Sequence, residues 1–314
     1  MRSLELVRAW PVDAAAVGVA ATGVGAVGAA PVGGTGRLST VGVVGLADRP
    51  FRWASVTKPV IALAILVAIE EGTLALDTEA GPPGSTVAHL LAHASGLAVD
   101  EPRPITTPGT RRIYSNSGYE ILGEVLADRS GLPLEEYVTE GVLRPLGMAG
   151  TTFGPPSAAR SGETGANPPG PAAAGLCGTL TDLLVLAGEW WSPSLISPET
   201  RNRAVTTAYA GLAGVLPGFG RFDPCDWGLG VEVKGAKAPH WSGPATSATT
   251  FGHFGRSGAF VWIDPDVGVA CAGLSDRPFG PWALEAWPRL SEAVLTELAV
   301  DRTTPPSSGP DLQV

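Results

Sequence analysis

The chain has little cysteine, little charge and no basic cluster. Cys177, Cys225 and Cys271 are odd in number, far apart and never arranged as C-x-x-C, which argues against a disulfide framework or a zinc ribbon and for buried free thiols. Charged residues make up only 16% of the 314 residues, and 21 Lys and Arg against 30 Asp and Glu leave a net charge of −9. No run of cations could neutralise successive phosphates, so nucleic acid is not an expected partner. No stretch reaches the roughly 18 strongly apolar residues of a membrane helix, so no membrane association is expected. What remains, at 44% apolar residues, is a globular chain able to bury one large core or two smaller ones.

Residues 14–30 are uncharged and rich in small side chains, and Arg2 and Arg8 precede them, as in a secretory signal. Glu5 and Asp13 break that pattern, leucine is missing, and Gly18, Gly23, Gly25 and Gly28 suit strand, turn and strand better. The expected location is therefore cytoplasmic. Gly23-Val24-Gly25-Ala26-Val27-Gly28 also spells G-x-G-x-x-G, with Asp48 downstream. A dinucleotide site needs a helix opening at those glycines to hold the pyrophosphate. Pro31, Gly33, Gly34 and Gly36 follow at once, so neither a nucleotide nor any other cofactor is expected.

The pattern predicts a helix over 3–10 and strands near 17–22, 24–30 and 38–46. A helix follows Ser55, apolar almost all round through Ile61, Leu63, Ile65, Leu66 and Ile69 and stopped by Gly72. Short helices follow near 86–94, 117–130, 134–142 and 181–191. Strands return near 228–233, 249–253, 259–263 and 267–274, and a last helix covers 282–299. The expected organisation is one α/β unit built from 1–77 and 225–302, a helical insertion over 78–224, and a disordered tail at 303–314, rich in Pro and Ser. A cleft between unit and insertion is the natural ligand site.

Ser55-Val56-Thr57-Lys58 stands at the mouth of the apolar helix. Positions three apart share a helix face, so the Lys58 amine can reach the Ser55 hydroxyl, and a partly desolvated lysine can take its proton. Tyr114-Ser115-Asn116 lies on a loop ahead of the 117–130 helix. A tyrosine beside an ammonium can have its pKa lowered enough to act as base and then acid, and Asn116 can position lysine or substrate. Gly252-His253-Phe254-Gly255-Arg256 closes a strand, where glycines let a carbonyl approach a backbone donor. His89 and His93 are spaced to chelate, but no third ligand is evident and no metal is expected. His240 and Trp241 read as surface loop or cleft rim.

In order and rough spacing these motifs resemble the serine β-lactamase and penicillin-binding superfamily, and most of all its class C-like branch with the family VIII carboxylesterases. The likeness extends through Leu90-Leu91-Ala92-His93-Ala94-Ser95-Gly96-Leu97 and Leu143-Arg144-Pro145-Leu146-Gly147-Met148, over roughly residues 1 to 300. It implies an α+β fold, β-lactamase/transpeptidase-like, an antiparallel sheet flanked by helices with an inserted, mostly helical domain. It also implies that Ser55 is the acylated nucleophile, Lys58 its proton acceptor and Tyr114 the general base and acid. Asn116 resembles the amide that orients substrate and lysine, and the backbone amides of Ser55 and Arg256 would form the oxyanion hole beside Gly255. The Thr179–Asp182 helix start resembles a structural element of the family.

Where many relatives carry Lys-Thr-Gly, this chain has His253-Phe254-Gly255, which replaces a fixed cation and removes a hydroxyl. Both changes weaken the grip on a carboxylate, although Arg256 could restore charge. The expectation is a serine hydrolase acting on a small-molecule ester or amide, foremost a carboxylesterase of short or medium acyl chains. The alternatives are a D-aminopeptidase, D,D-peptidase or β-lactamase, an acyltransferase, and a non-catalytic penicillin-binding-like protein. Oligomeric state is left open.

Overall fold

Strict alternation along the C-terminal strands sets the architecture. Phe260 and Trp262 point to one face, Ala259, Val261 and Ile263 to the other, and every one of them is buried, so this sheet must be covered on both sides. In the computed structural model, which describes residues 1–23, 36–154 and 169–303, twelve strands are described. They are β1 (Ala15–Ala21), β2 (Ser39–Gly45), β3 (Phe51–Arg52), β4 (Arg112–Ile113), β5 (Thr152–Phe153), β6 (Leu176–Gly178), β7 (Gly214–Leu216), β8 (Gly220–Phe222), β9 (Glu232–Val233), β10 (Phe251–Gly255), β11 (Ala259–Asp264) and β12 (Val269–Ser275). Six form an antiparallel sheet in the order β2-β1-β12-β11-β10-β9, so that the two ends of the chain share one sheet.

The helices are α1 (Thr57–Glu70), α2 (Val87–Leu91), α3 (Asn116–Ser130), α4 (Leu134–Val138), α5 (Pro171–Ala174), α6 (Leu180–Trp191), α7 (Pro198–Val205) and α8 (Pro281–Thr303). One sheet face, with Val17, Val19, Phe260, Trp262 and Cys271, packs on Trp287, Leu290 and Val294 of α8. There Trp262 Nε1 donates to Ser291 Oγ at 3.1 Å, which satisfies the indole inside the core. The other face packs on α6 and α1. As its all-apolar surface predicts, α1 is buried from Thr57 through Ala68, and each such Leu or Ile contributes about 1.5–3 kcal/mol. Gly230, at φ +103°, lies so close to Ala62 of α1 that a Cβ would collide with it; this lets the 228–231 segment seal the helix.

The expected antiparallel sheet flanked by helices is therefore present. The first helix is instead a 3₁₀ helix, Ser3–Ala9, and the helix expected over 134–142 is α4 followed by a π turn, Thr139–Leu143. All three cysteines are buried and outside any disulfide, as expected. The strand expected over 24–30, most of the G-x-G-x-x-G segment and the tail after 303 lie outside the described residues. Among the described residues no helix is long and apolar enough to cross a membrane.

Candidate active site

Ser55 sits in a single 3₁₀ turn, Ala54–Val56, immediately ahead of α1. The turn is strained: Ala54 has φ 46°, a conformation that costs a non-glycine residue on the order of 1 kcal/mol or more and is kept where surroundings enforce it. Gly255, closing β10, lies against this turn. A Cβ there would meet the Trp53 carbonyl oxygen and stand 3.2 Å from the Ser55 amide nitrogen, so glycine is required for the strand end to approach the nucleophile.

Lys58 is fully buried on the first turn of α1, and its Nζ lies 3.3 Å from Ser55 Oγ, 2.7 Å from Asn116 Oδ1 and 2.9 Å from the Ala173 carbonyl. Burial lowers its pKa to about 7, and Glu120 and Asp100 oppose that shift without cancelling it. Asn116 opens α3, whose N-cap Ser115 accepts from the Gly118 amide at 3.0 Å. Its Nδ2 donates to Asp100 Oδ1 at 2.6 Å, which fixes the amide so that Oδ1 faces Lys58. Glu120, one turn along α3, accepts from the Ala173 amide at 2.8 Å and so steadies the peptide whose carbonyl holds Lys58.

A neutral amine has two N–H donors and one lone pair. Asn116 Oδ1 and the Ala173 carbonyl can only accept, so they take both donors and leave the lone pair for the Ser55 hydroxyl. The three contacts accommodate the deprotonated amine in this way and, with Ser55 Oγ accepting instead, the ammonium equally.

Tyr114 is partly buried, its ring 4.9 Å from Lys58 Nζ and its hydroxyl hydrogen-bonded with Ser55. Burial pushes the phenol well above its ordinary value, more strongly than the Ser55 contact and Arg256 draw it down. This corrects the expectation of a lowered tyrosine pKa: the resting group is a phenol, because burial outweighs its favourable contacts. Around it stand His93, with ring centroids 4.5 Å apart, Trp227 at 5.9 Å and His253 at 6.0 Å. His93 Nδ1 accepts from the Ser115 amide, which puts its proton on Nε2, whereas His253 Nδ1 donates to the Phe254 carbonyl. Burial lowers His253 to about 3 and takes His93 well below its ordinary value, so both imidazoles are neutral. His253 is therefore a buried wall of the site and not an exposed grip, while Arg256 one turn on is exposed.

His240 and Trp241, expected at a surface or rim, are instead buried behind β10, which is a second correction. The reason is Glu232, opposite Gly252 in the sheet: it accepts from Trp241 Nε1 at 2.6 Å and His240 Nε2 at 3.1 Å, with Lys237 Nζ at 3.4 Å. Burial alone would raise its pKa, but these partners outweigh it and hold the carboxyl at about 2. Burial also lowers the pKa of His240, against the pull of Glu232, which raises it.

Of the residues singled out in the sequence, Ser55, Lys58, Tyr114, Asn116 and Gly255 meet at one place, His253 backs it and Arg256 stands at its edge. Asp100, Glu120, His93 as a tyrosine neighbour and Trp227 were not anticipated as parts of it. His89 does not join His93. It pairs with Thr86 at 3.0 Å and stacks on Tyr209, beside a cavity of about 540 Å³ lined by Leu76, Asn202, Arg203 and Leu229 that lacks Ser55 and Lys58.

The fold is shared with known proteins. A solved β-lactamase from Mycobacterium bovis is 45% identical, with TM-score 0.82 over 94% of this chain and 98% of its own. A solved hydrolase with promiscuous acyltransferase activity is 19% identical, TM-score 0.67, covering 93% of this chain and 96% of its own; at that identity it shows the fold alone. A Salmonella enteritidis relative with a provisional D-alanyl-D-alanine carboxypeptidase name is 30% identical over 211 residues, which are 56% of this chain and 48% of the relative. The chain thus spans about half the length of the curated relatives it matches. The family model described as Beta-lactamase matches residues 13–295, and the chain accordingly belongs to this family of serine hydrolases.

Proposed function

We propose that the protein is a hydrolase that forms an acyl-enzyme on Ser55 and acts foremost on carboxylic esters. The observation that carries this reading is the fully buried Lys58 amine 3.3 Å from Ser55 Oγ, with a pKa that burial lowers to about 7. Lys58 takes the hydroxyl proton as Ser55 attacks the acyl carbonyl, and the Tyr114 phenol passes a proton to the departing group. The oxyanion faces the amides of Ser55 and Arg256, next to Gly255. Water then attacks the ester on Ser55 with the proton path reversed. A β-lactamase or D,D-peptidase reading, suggested by the names of relatives, needs a grip on the substrate carboxylate. Neutral, buried His253 offers none, and Arg256 is solvated.

The test is hydrolysis of p-nitrophenyl butyrate against a chromogenic cephalosporin. The ester should be favoured in kcat/KM by roughly a hundredfold, the value of a missing charge-assisted carboxylate contact. Preference for the cephalosporin would reverse the assignment.

A further inference from the structure

The carboxylate of Glu120 and the amine of Lys58 hold opposite ends of one residue. Glu120 follows Asn116 by four positions on α3, so the two share a helix face. Glu120 Oε1 accepts from the Ala173 amide at 2.8 Å, while the Ala173 carbonyl accepts from Lys58 Nζ at 2.9 Å. The Ala172 amide donates to the same carboxylate. Both alanines are wholly buried in α5, which packs on α1 and α3. A Cβ at Gly170 would strike the Glu120 carboxylate, so the chain entering α5 closes around it. Among the described residues no cation forms an ion pair with Glu120, and Lys58 is the positive charge it responds to. The other groups around Lys58 supply less charge. Asp100, beyond Asn116 Nδ2, is exposed and screened by water. Burial keeps His93, just past α2, and His253 on β10 neutral, and holds Tyr114 and Tyr119 as phenols. Arg256 is exposed at the end of β10.

We propose that Glu120 is a positioning residue for the base: through the Ala173 peptide it holds Lys58 against Ser55, and its charge sets the pH range in which the enzyme works. The proposal rests on the acyl-enzyme reading above. Glu120 acts through Lys58 and takes no part in bond making. A carboxylate across a buried peptide favours the ammonium form of Lys58, in opposition to burial. Removing that charge therefore lowers the pH at which Lys58 gives up its proton, and makes the neutral amine a weaker base toward the Ser55 hydroxyl. A group that merely braced the Ala173 peptide would change the rate alike at every pH.

The experiment measures kcat/KM for p-nitrophenyl butyrate against pH, with thermal unfolding as the check on folding. Glu120→Gln keeps an oxygen for the Ala173 amide and loses the charge. Its acid limb should fall by roughly one pH unit, so that at pH 5 its rate relative to its own plateau is about tenfold above that of wild type, as for one partly screened charge nearby. Glu120→Ala, which removes charge and contact together, should show the same shift with a larger loss of plateau. Glu120→Asp keeps the charge on a shorter side chain, so its limb should stay near that of wild type while the plateau drops as the hold on Ala173 lengthens. Glu124→Gln, exposed one turn further along α3, should change neither. A limb that does not move in Glu120→Gln and Glu120→Ala, or that moves equally in Glu120→Asp or Glu124→Gln, overturns the proposal and leaves the hydrolase reading standing. A wild-type protein that does not hydrolyse the ester, or has no limb near neutral pH, removes that reading and the proposal with it.

Discussion

Ser55→Ala should lower kcat/KM for esters by on the order of 10⁴ to 10⁶, because the attacking oxygen is gone. The fold should survive. Ser55 is only partly buried, and the turn that carries it is held by the Val56 amide donating to the Trp53 carbonyl at 3.1 Å and by Gly255, neither of which uses the hydroxyl. Unchanged thermal unfolding beside lost ester hydrolysis is the expected pair of results. A variant that retained more than about a hundredth of the activity would place the chemistry elsewhere.

The second large effect is on pH dependence. If neutral Lys58 is the base, its protonated form is inactive, so log kcat/KM should rise with unit slope as pH increases toward about 7 and level off above it. The sign follows from burial: desolvation disfavours the ammonium, which puts the active form at neutral pH and not above 10, where an ordinary lysine loses its proton. At pH 5 the rate constant should therefore be roughly a hundredfold below its plateau. Histidine titrating in the same range is the competing explanation. His253 and His93 are neutral well below it, so the limb should persist in His253→Gln. A limb near 10, or one that disappears with His253, would contradict this role for Lys58.

The parts of the site legible in the sequence are those whose chemistry is local. Ser55 and Lys58 are related by one helical turn, which spacing reveals, whereas Tyr114, Asn116 and Gly255 are joined to them by the resemblance of their motifs to the family. Asp100 and Glu120 were not legible because their relation to Lys58 is made by folding: one acts through the amide of Asn116, the other through the Ala173 peptide. The tyrosine misled for the same reason. A neighbouring lysine lowers its pKa only while that lysine is charged, and burial, which governs both groups here, cannot be read from spacing. His240 and Trp241 looked like rim residues because a polar loop surrounds them, and only pairing of β9 with β10 brings Glu232 to their side chains.

At the level of fold, α1 declared itself by being apolar on every side, and β11 by dense β-branched and aromatic residues. The helix α7 passed unnoticed, since Pro198–Val205 is mostly polar and buries Ala204 alone. Its start was nevertheless written in Ser197, which caps the Thr200 amide at 3.1 Å ahead of Pro198 at the first helical position.

The most direct measurement is the mass of the protein quenched during turnover of a slowly hydrolysed ester, followed by mapping of the modified peptide. An acyl-enzyme through Ser55 requires a mass increase equal to one acyl group, located on the peptide holding Ser55 and Lys58 and missing from Ser55→Ala. Turnover with no adduct, or with the acyl group on another side chain, would show that Ser55 is not the nucleophile.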